Sequence, residues 1–380
     1  MKIGILTLPL HTNYGGILQA YALQTVLERM GHNVEVIDKS RYHFLPFYKK
    51  PFAYAYRFLK KLILRRHYRI CFEKDYNKCL DRDIVTQVYT RPFIEKHVHL
   101  RHIEKFSEIK EHDYDTIVVG SDQIWRAVYA RSMLQSVTAP YLDFTKKWKN
   151  LKRVSYAASF GTDTWEYSDK DTKKCRKFIQ KFDAVSVREK NGIKLCDEFL
   201  NFKRAVHVLD PTLLLDRSDY ESLIPSNQKK SKGNLLCYIM DDSTEKRKLI
   251  DDIAKTKRLT PFSVNSKVDD RNAPLEDRIQ PSVEQWIQGF KDADFVVTDS
   301  FHACVFSIIF RKTFVVVGNI GRGLSRFQSF LEMFGLESRL VLNVEKCEAN
   351  IFDSIDYDDV YKRLDKYKNE SISFLKKWLS

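Results

Sequence analysis

No apolar run in this 380-residue sequence approaches the ~20 residues needed to cross a bilayer. Residues 1–10 are too short a stretch, and too quickly broken by Pro9, to serve as a signal peptide. These absences lead us to expect a cytoplasmic protein. Cysteine is scarce. The seven present are odd in number and loosely spaced, which argues against a disulfide framework. Metal-ligand spacing is missing too. Cys71 and Cys79 have no matching second pair, and His97, His99 and His102 have no carboxylate or cysteine at a ligand spacing, so no metal site is expected. The glycine-bearing loop 9–16 is not a G-x-G-x-x-G fingerprint and gives no ground for a dinucleotide cofactor.

What the chain does have is positive charge: +14 net, with a pI near 9.2. That favours an anionic partner, whether nucleic acid, acidic lipid or a phosphorylated small molecule. No nucleic-acid motif accompanies the charge, so nucleic acid is not expected. Residues 41–80 hold eleven Lys or Arg against two acidic residues, and so supply nine of the fourteen charges. Within them Ala55, Phe58, Leu59, Leu62 and Ile63 share one helical face, with Arg57, Lys60, Lys61 and Arg65 around the other. One reading is that residues 53–70 lie on an anionic membrane, making the protein peripheral at the inner face of the plasma membrane. The other is a helix packed on its own domain with a solvated basic face.

At this length two domains are expected. The first opens as βαβ: a strand over 2–8, a helix over 17–30 closed by Gly31, and a strand over 33–38. Adjacent Gly15 and Gly16 allow a ligand close to the backbone, and Asn13 and Tyr14 are candidate donors beside them. Further strands are read over 115–119, 153–160, 184–187 and, interrupted by Asp210-Pro211, 206–215. The first ends in Gly120-Ser-Asp122 and the third in Arg188-Glu189. Ligands of open α/β sheets bind beyond strand carboxyl ends. Ser121, Asp122, Arg188 and Glu189 are therefore site candidates, Arg188 because its planar fork suits a carboxylate or phosphate. A linker is expected over 216–233. Strands over 234–240, 295–298 and 313–317 begin a second series, and the basic loop 318–326 offers Arg322 and Arg326 as anion ligands. Asp292-Ala-Asp294 precedes a strand and reads as a loop. A final helix carries Val360, Leu364, Tyr367, Phe374 and Trp378 on one side.

The most informative stretch is 295–310. A β-branched run ends at Thr298. Asp299 and Ser300 follow with N-cap chemistry, and Phe301, Cys304, Val305 and Ile308 form a helical stripe. His302 thus falls in the first helical turn, where free N–H groups and the dipole favour an anion.

Six segments in this order resemble the polysaccharide pyruvyl transferase family: Asn13-Tyr-Gly-Gly-Ile-Leu-Gln19, Gly120-Ser-Asp-Gln-Ile-Trp125, Ser186-Val-Arg-Glu189, Asp210-Pro-Thr212, Thr298-Asp-Ser-Phe-His302 and Ser325-Arg326. The resemblance runs from the first strand to about residue 340, with Ala303 where the family commonly has glycine. It implies an α/β fold of two Rossmann-like doubly wound domains facing a cleft, as in GT-B enzymes. We place the first over 1–220, with a basic helical insertion over 41–110, and the second over 230–380. The implied activity is transfer of pyruvate from phosphoenolpyruvate to two hydroxyls of a sugar in a polysaccharide or its lipid-linked precursor, giving a ketal and phosphate with no cofactor. On this reading His302 and Asp122 are catalytic, and Arg188, Arg326 and Ser300 bind the donor. Asn13, Tyr14, Gly15, Gly16, Ser121 and Glu189 are acceptor or loop candidates. Two other readings stay open: a nucleotide-sugar-dependent GT-B glycosyltransferase, and a non-enzymatic basic protein that docks on membrane.

Overall fold

The computed structural model describes residues 1–42, 47–64, 72–270, 272–318, 323–344 and 349–380. Arg65, Arg66, Cys71 and Arg322 lie outside the described residues.

Strands β1 (Lys2–Leu6), β2 (Asn33–Lys39), β3 (Leu100–Ile103), β4 (Thr116–Val119), β5 (Lys152–Ala158), β6 (Ala184–Val187) and β7 (Val206–His207) form one sheet, in the order β3-β2-β1-β4-β5-β6-β7. Strands β8 (Leu235–Tyr238), β9 (Pro261–Phe262), β10 (Phe295–Thr298), β11 (Thr313–Val317) and β12 (Leu340–Val341) form a second, in the order β12-β11-β10-β8-β9. Every pairing is parallel. The sequence explains this. The central strands are continuous apolar runs, buried along their length, and helical crossovers cover both faces. The protein is therefore two doubly wound α/β domains.

The first helix, Tyr14–Arg29, starts with Asn13 as its cap, whose Oδ1 accepts from the Gly16 N–H at 3.2 Å. Helix Phe301–Ile309 is buried at all nine positions, not along the one stripe read from its sequence. It is the central crossover of its domain, apolar on every side.

Several boundaries differ from the sequence reading. Leu100–Ile103 lies inside the span read as insertion, yet it pairs with β2 as an edge strand. The strand read over 206–215 stops at His207, because Pro211 cannot donate to a ladder; Pro211–Leu214 is a 3₁₀ turn. The stretch read as linker opens with helix Arg217–Glu221, whose Tyr220 is fully buried against Phe306 of the second domain, ring centroids 4.8 Å apart.

The terminal helix, Tyr357–Leu379, ties the halves together. Near its start the Tyr361 hydroxyl donates to the Ile309 carbonyl at 2.9 Å. Near its end the Ser371 hydroxyl accepts from the Leu209 N–H at 3.0 Å, and Phe374 packs on Tyr156. Among the described residues no helix is long and apolar enough to cross a membrane.

Candidate active site

The carboxyl ends of β1, β4, β6 and β10 point at one another across the domain junction. They deliver, in turn, the loop before Tyr14, the Gly120–Asp122 turn, Arg188-Glu189 and Ser300–His302. A cavity of about 1270 Å³ opens there, lined among others by His11, Asn13, Gly15, Asp122, His302 and Arg326. The second domain also contributes Asn265, Lys267 and Gln280 to the lining.

Next to Asp122 and His302 lies a buried charge cluster. Arg188, its side chain 2% exposed, donates through Nη1 to Asp210 at 2.8 Å and through Nη2 to Asp122 at 3.2 Å. His302 Nε2 stands 3.5 Å from the same Asp210 oxygen and 3.4 Å from Arg188 Nη1. Asp210 Oδ1 is held by the Thr212 N–H and hydroxyl. Burial alone would raise the Asp210 carboxyl, but hydrogen bonding and charge from His302 and Arg188 outweigh it and hold the group well below the usual carboxylate range. Burial likewise works against the Arg188 cation, and Asp210, Asp122 and Glu189 more than compensate. Arg188 also lies over the Phe301 ring, 4.5 Å from its centroid, with Arg326 on the same ring at 6.0 Å. Burial, then the nearby Arg188 charge, pushes Arg326 down to about 10.

Two helix N-termini meet in the cavity. Gly15 and Gly16 open helix Tyr14–Arg29. Ser300 and His302 open helix Phe301–Ile309, where the Ser300 side chain makes no capping bond. A β-carbon on Gly15 would come within 2.6 Å of His302 Cε1 and nearer still to Nδ1, so only glycine lets the imidazole pack there.

The structure divides the sequence candidates. His302, Asp122, Arg326, Ser300, Asn13, Gly15 and Gly16 all line the cavity. Arg188 sits behind it, with its terminal nitrogens taken by carboxylates. Tyr14 points away from the crevice. Its hydroxyl donates to the Pro281 carbonyl at 2.7 Å and its ring stacks on Trp286 at 5.3 Å, so it is a strut between the domains. Ser121 is fully buried and donates to the Ala157 carbonyl at 2.9 Å, while its N–H is held by Gln19. Glu189 accepts from the Ser159 hydroxyl and the Phe160 N–H, each at 3.0 Å, which fixes the turn after β5; burial raises its carboxyl, against the lowering pull of Arg188 and Arg326. Asp299 does not cap its helix. Its carboxylate takes the Met240 and Asp241 N–H groups and the Lys246 ammonium at 2.7, 3.0 and 2.7 Å.

Sequence reasoning passed over His11 and assigned no role to Asp210. His11 stood in the loop 9–16 without a distinguishing pattern. Asp210 stood in one of the family segments, beside the proline that interrupts the strand read over 206–215. Of the pair Asp292 and Asp294, read as loop, Asp292 is the last residue of helix Val283–Asp292 and holds the Ser231 N–H, while Asp294 follows the helix and holds the Asn234 amide. Among the described residues no group of three or more His, Cys, Asp or Glu is placed to hold a metal ion.

Comparison with solved structures returns matches that cover this whole chain. The MnaA–UDP complex from S. aureus matches with a TM-score of 0.51 and 11% identity, covering 100% of this chain and 96% of that one. UDP-GlcNAc 2-epimerase from Neisseria meningitidis, bound to UDP-GlcNAc, matches with a TM-score of 0.46 and 10% identity, covering 100% and 99%. The MnaA likeness shows the fold, two Rossmann-like domains in GT-B fashion. No curated relative matches the sequence. The polysaccharide pyruvyl transferase model matches residues 13–321, a span holding all the cavity residues named above except His11 and Arg326. With that match covering most of its length, the chain belongs to the polysaccharide pyruvyl transferase family.

Proposed function

We propose that the protein transfers pyruvate from phosphoenolpyruvate to two hydroxyls of one sugar, in a polysaccharide or its lipid-linked precursor, with no cofactor. The observation that supports this reading best is the meeting of His302, Asp122 and Arg326 in one cavity that two helix N-termini also enter. Phosphoenolpyruvate brings a phosphate and a carboxylate. The N-termini and Arg326 suit one or both anions. Arg188 becomes a positioning residue: its charge holds Asp122 and Asp210 in place, and Asp210 in turn faces the imidazole.

In the reaction, His302 gives a proton to the methylene carbon and C2 becomes oxocarbenium-like. A sugar hydroxyl adds to C2 and loses its proton to Asp122. Phosphate departs with the C2–O bond pair, and a second hydroxyl of the same sugar adds and loses its proton, closing the ketal. Two hydroxyl protons are released. One balances the proton added to the methylene, and the other leaves with phosphate. A cavity of about 1270 Å³ exceeds the ~300–1,000 Å³ of a usual small-ligand pocket. It therefore has room for donor and sugar together.

That same room is what favours a second reading, sugar transfer from a nucleotide-sugar. Calorimetric titration with phosphoenolpyruvate, and separately with UDP- and GDP-sugars, distinguishes them. We expect saturable phosphoenolpyruvate binding that Arg326→Ala and His302→Ala each weaken roughly tenfold or more, about 1.4 kcal/mol. Binding of a nucleotide-sugar with silence toward phosphoenolpyruvate overturns the donor assignment.

A further inference from the structure

Helix Lys50–Leu64 turns its apolar side outward. Phe52 is 80% exposed and Ile63 77%, and Tyr56, Phe58, Leu59 and Leu62 are exposed as well. At about 100° per residue, Phe52, Tyr56, Leu59 and Ile63 form one stripe, which Phe58 and Leu62 widen. The side that carries Ala53, Tyr54 and Arg57 is the half-buried one. The helix is thus inverted relative to one packed on its own domain, and contiguous exposed apolar surface of this kind marks a binding face.

Charge selects the occupant. Residues 47–64 carry Lys49, Lys50, Arg57, Lys60 and Lys61 and no Asp or Glu. Pairing with a second copy would bring five positive charges against five. An anionic lipid surface meets both properties, because the aromatic and aliphatic stripe can enter the headgroup boundary and the segment's uncompensated positive charge is attracted to the negative surface.

We propose that helix Lys50–Leu64 docks the protein on an anionic bilayer. The base of the helical segment borders the cavity. Arg41 and Tyr42, before the helix, bond to Asp83 at 3.4 and 2.5 Å. Thr86, at the end of helix Phe72–Thr86, accepts from the N–H of the cavity residue Gln280 at 3.0 Å. The docking helix thus belongs to a segment that is hydrogen-bonded to the cavity rim. The consequence for a lipid-linked acceptor rests on the pyruvyl-transfer reading; the docking itself does not.

Co-sedimentation of the full chain with phosphatidylcholine vesicles, with and without phosphatidylglycerol, tests this. Binding is expected only to the phosphatidylglycerol vesicles. The double variant Phe52→Ser/Ile63→Ser changes two solvent-facing side chains and should lower that binding by roughly tenfold or more. Lys50→Glu/Lys60→Glu should weaken it too, and high salt should do the same. The proposal fails if anionic vesicles are not bound. It fails equally if the serine variant binds them as well as wild type, or if the chain forms a dimer that this variant dissociates while vesicles stay unbound. Phosphoenolpyruvate titration of the serine variant reports on the pocket separately, so the two readings can fail independently.

Discussion

The imidazole of His302 packs against the backbone of Gly15, two residues 287 positions apart that belong to different domains. One supplies a titratable ring and the other the space for it. The domain junction is therefore built into the site: neither residue has its partner unless both sheets are docked.

Gly15→Ala should act on the site and leave the fold. Its φ is not in the left-handed region, so the added methyl costs little in backbone strain; the clash is with the His302 ring. Displacing a reacting group by ~1 Å costs on the order of 10²-fold in rate. Phosphate release from phosphoenolpyruvate should fall by about that factor, while the thermal midpoint stays close to wild type. Unchanged turnover would separate His302 from the chemistry.

Asp210→Asn should destabilise the protein at neutral pH. Breaking one partner of a buried ion pair costs about 3 kcal/mol or more, because Arg188 keeps its charge with one carboxylate fewer. The Asp210 carboxyl is held below its ordinary 3.8. Its stabilisation is thus complete above that pH and is lost as the folded group takes up a proton in stronger acid. Denaturant titrations across pH should show the gap between wild type and variant narrowing only at the acid end. A gap that closes between pH 7 and 5 would point to another group.

His11 should carry a pH dependence of its own. Burial, then the charge of Arg41, lowers it from 6.5 to about 3, against the raising pull of Asp83 and Asp122. The unfolded chain takes up a proton below 6.5 while the folded one does not, so stability falls with pH from about 6.5 downward. The slope is at most about 1.4 kcal/mol per pH unit. His11→Gln should flatten that part of the profile in chemical denaturation. An identical slope in wild type and variant would exclude His11 as its source.

Much of the fold was legible because it follows from local pattern. The apolar, β-branched runs ending at Val119, Val187 and Thr298 are strands because they are buried on both faces, and that shows in sequence as continuous hydrophobicity. The site was legible in part. His302, Asp122 and Arg326 follow strand ends or begin helices, positions from which a side chain can reach the cleft. Tyr14 and Ser121 stand in the same motifs and do something else, since a side chain's direction within a turn depends on the neighbour it meets.

By itself, then, the sequence determined two parallel α/β domains, the family, and several of the loops that border the cleft, because periodicity and motif order are properties of the chain alone. Tertiary structure decided the rest. It gave Arg188 to Asp122 and Asp210, Tyr14 to Pro281 and Trp286, Gly15 to His302, and the outward face of helix Lys50–Leu64 to solvent. Each is a choice among partners distant in sequence, and only the packing of one domain on the other, or of a helix on its neighbours, makes it.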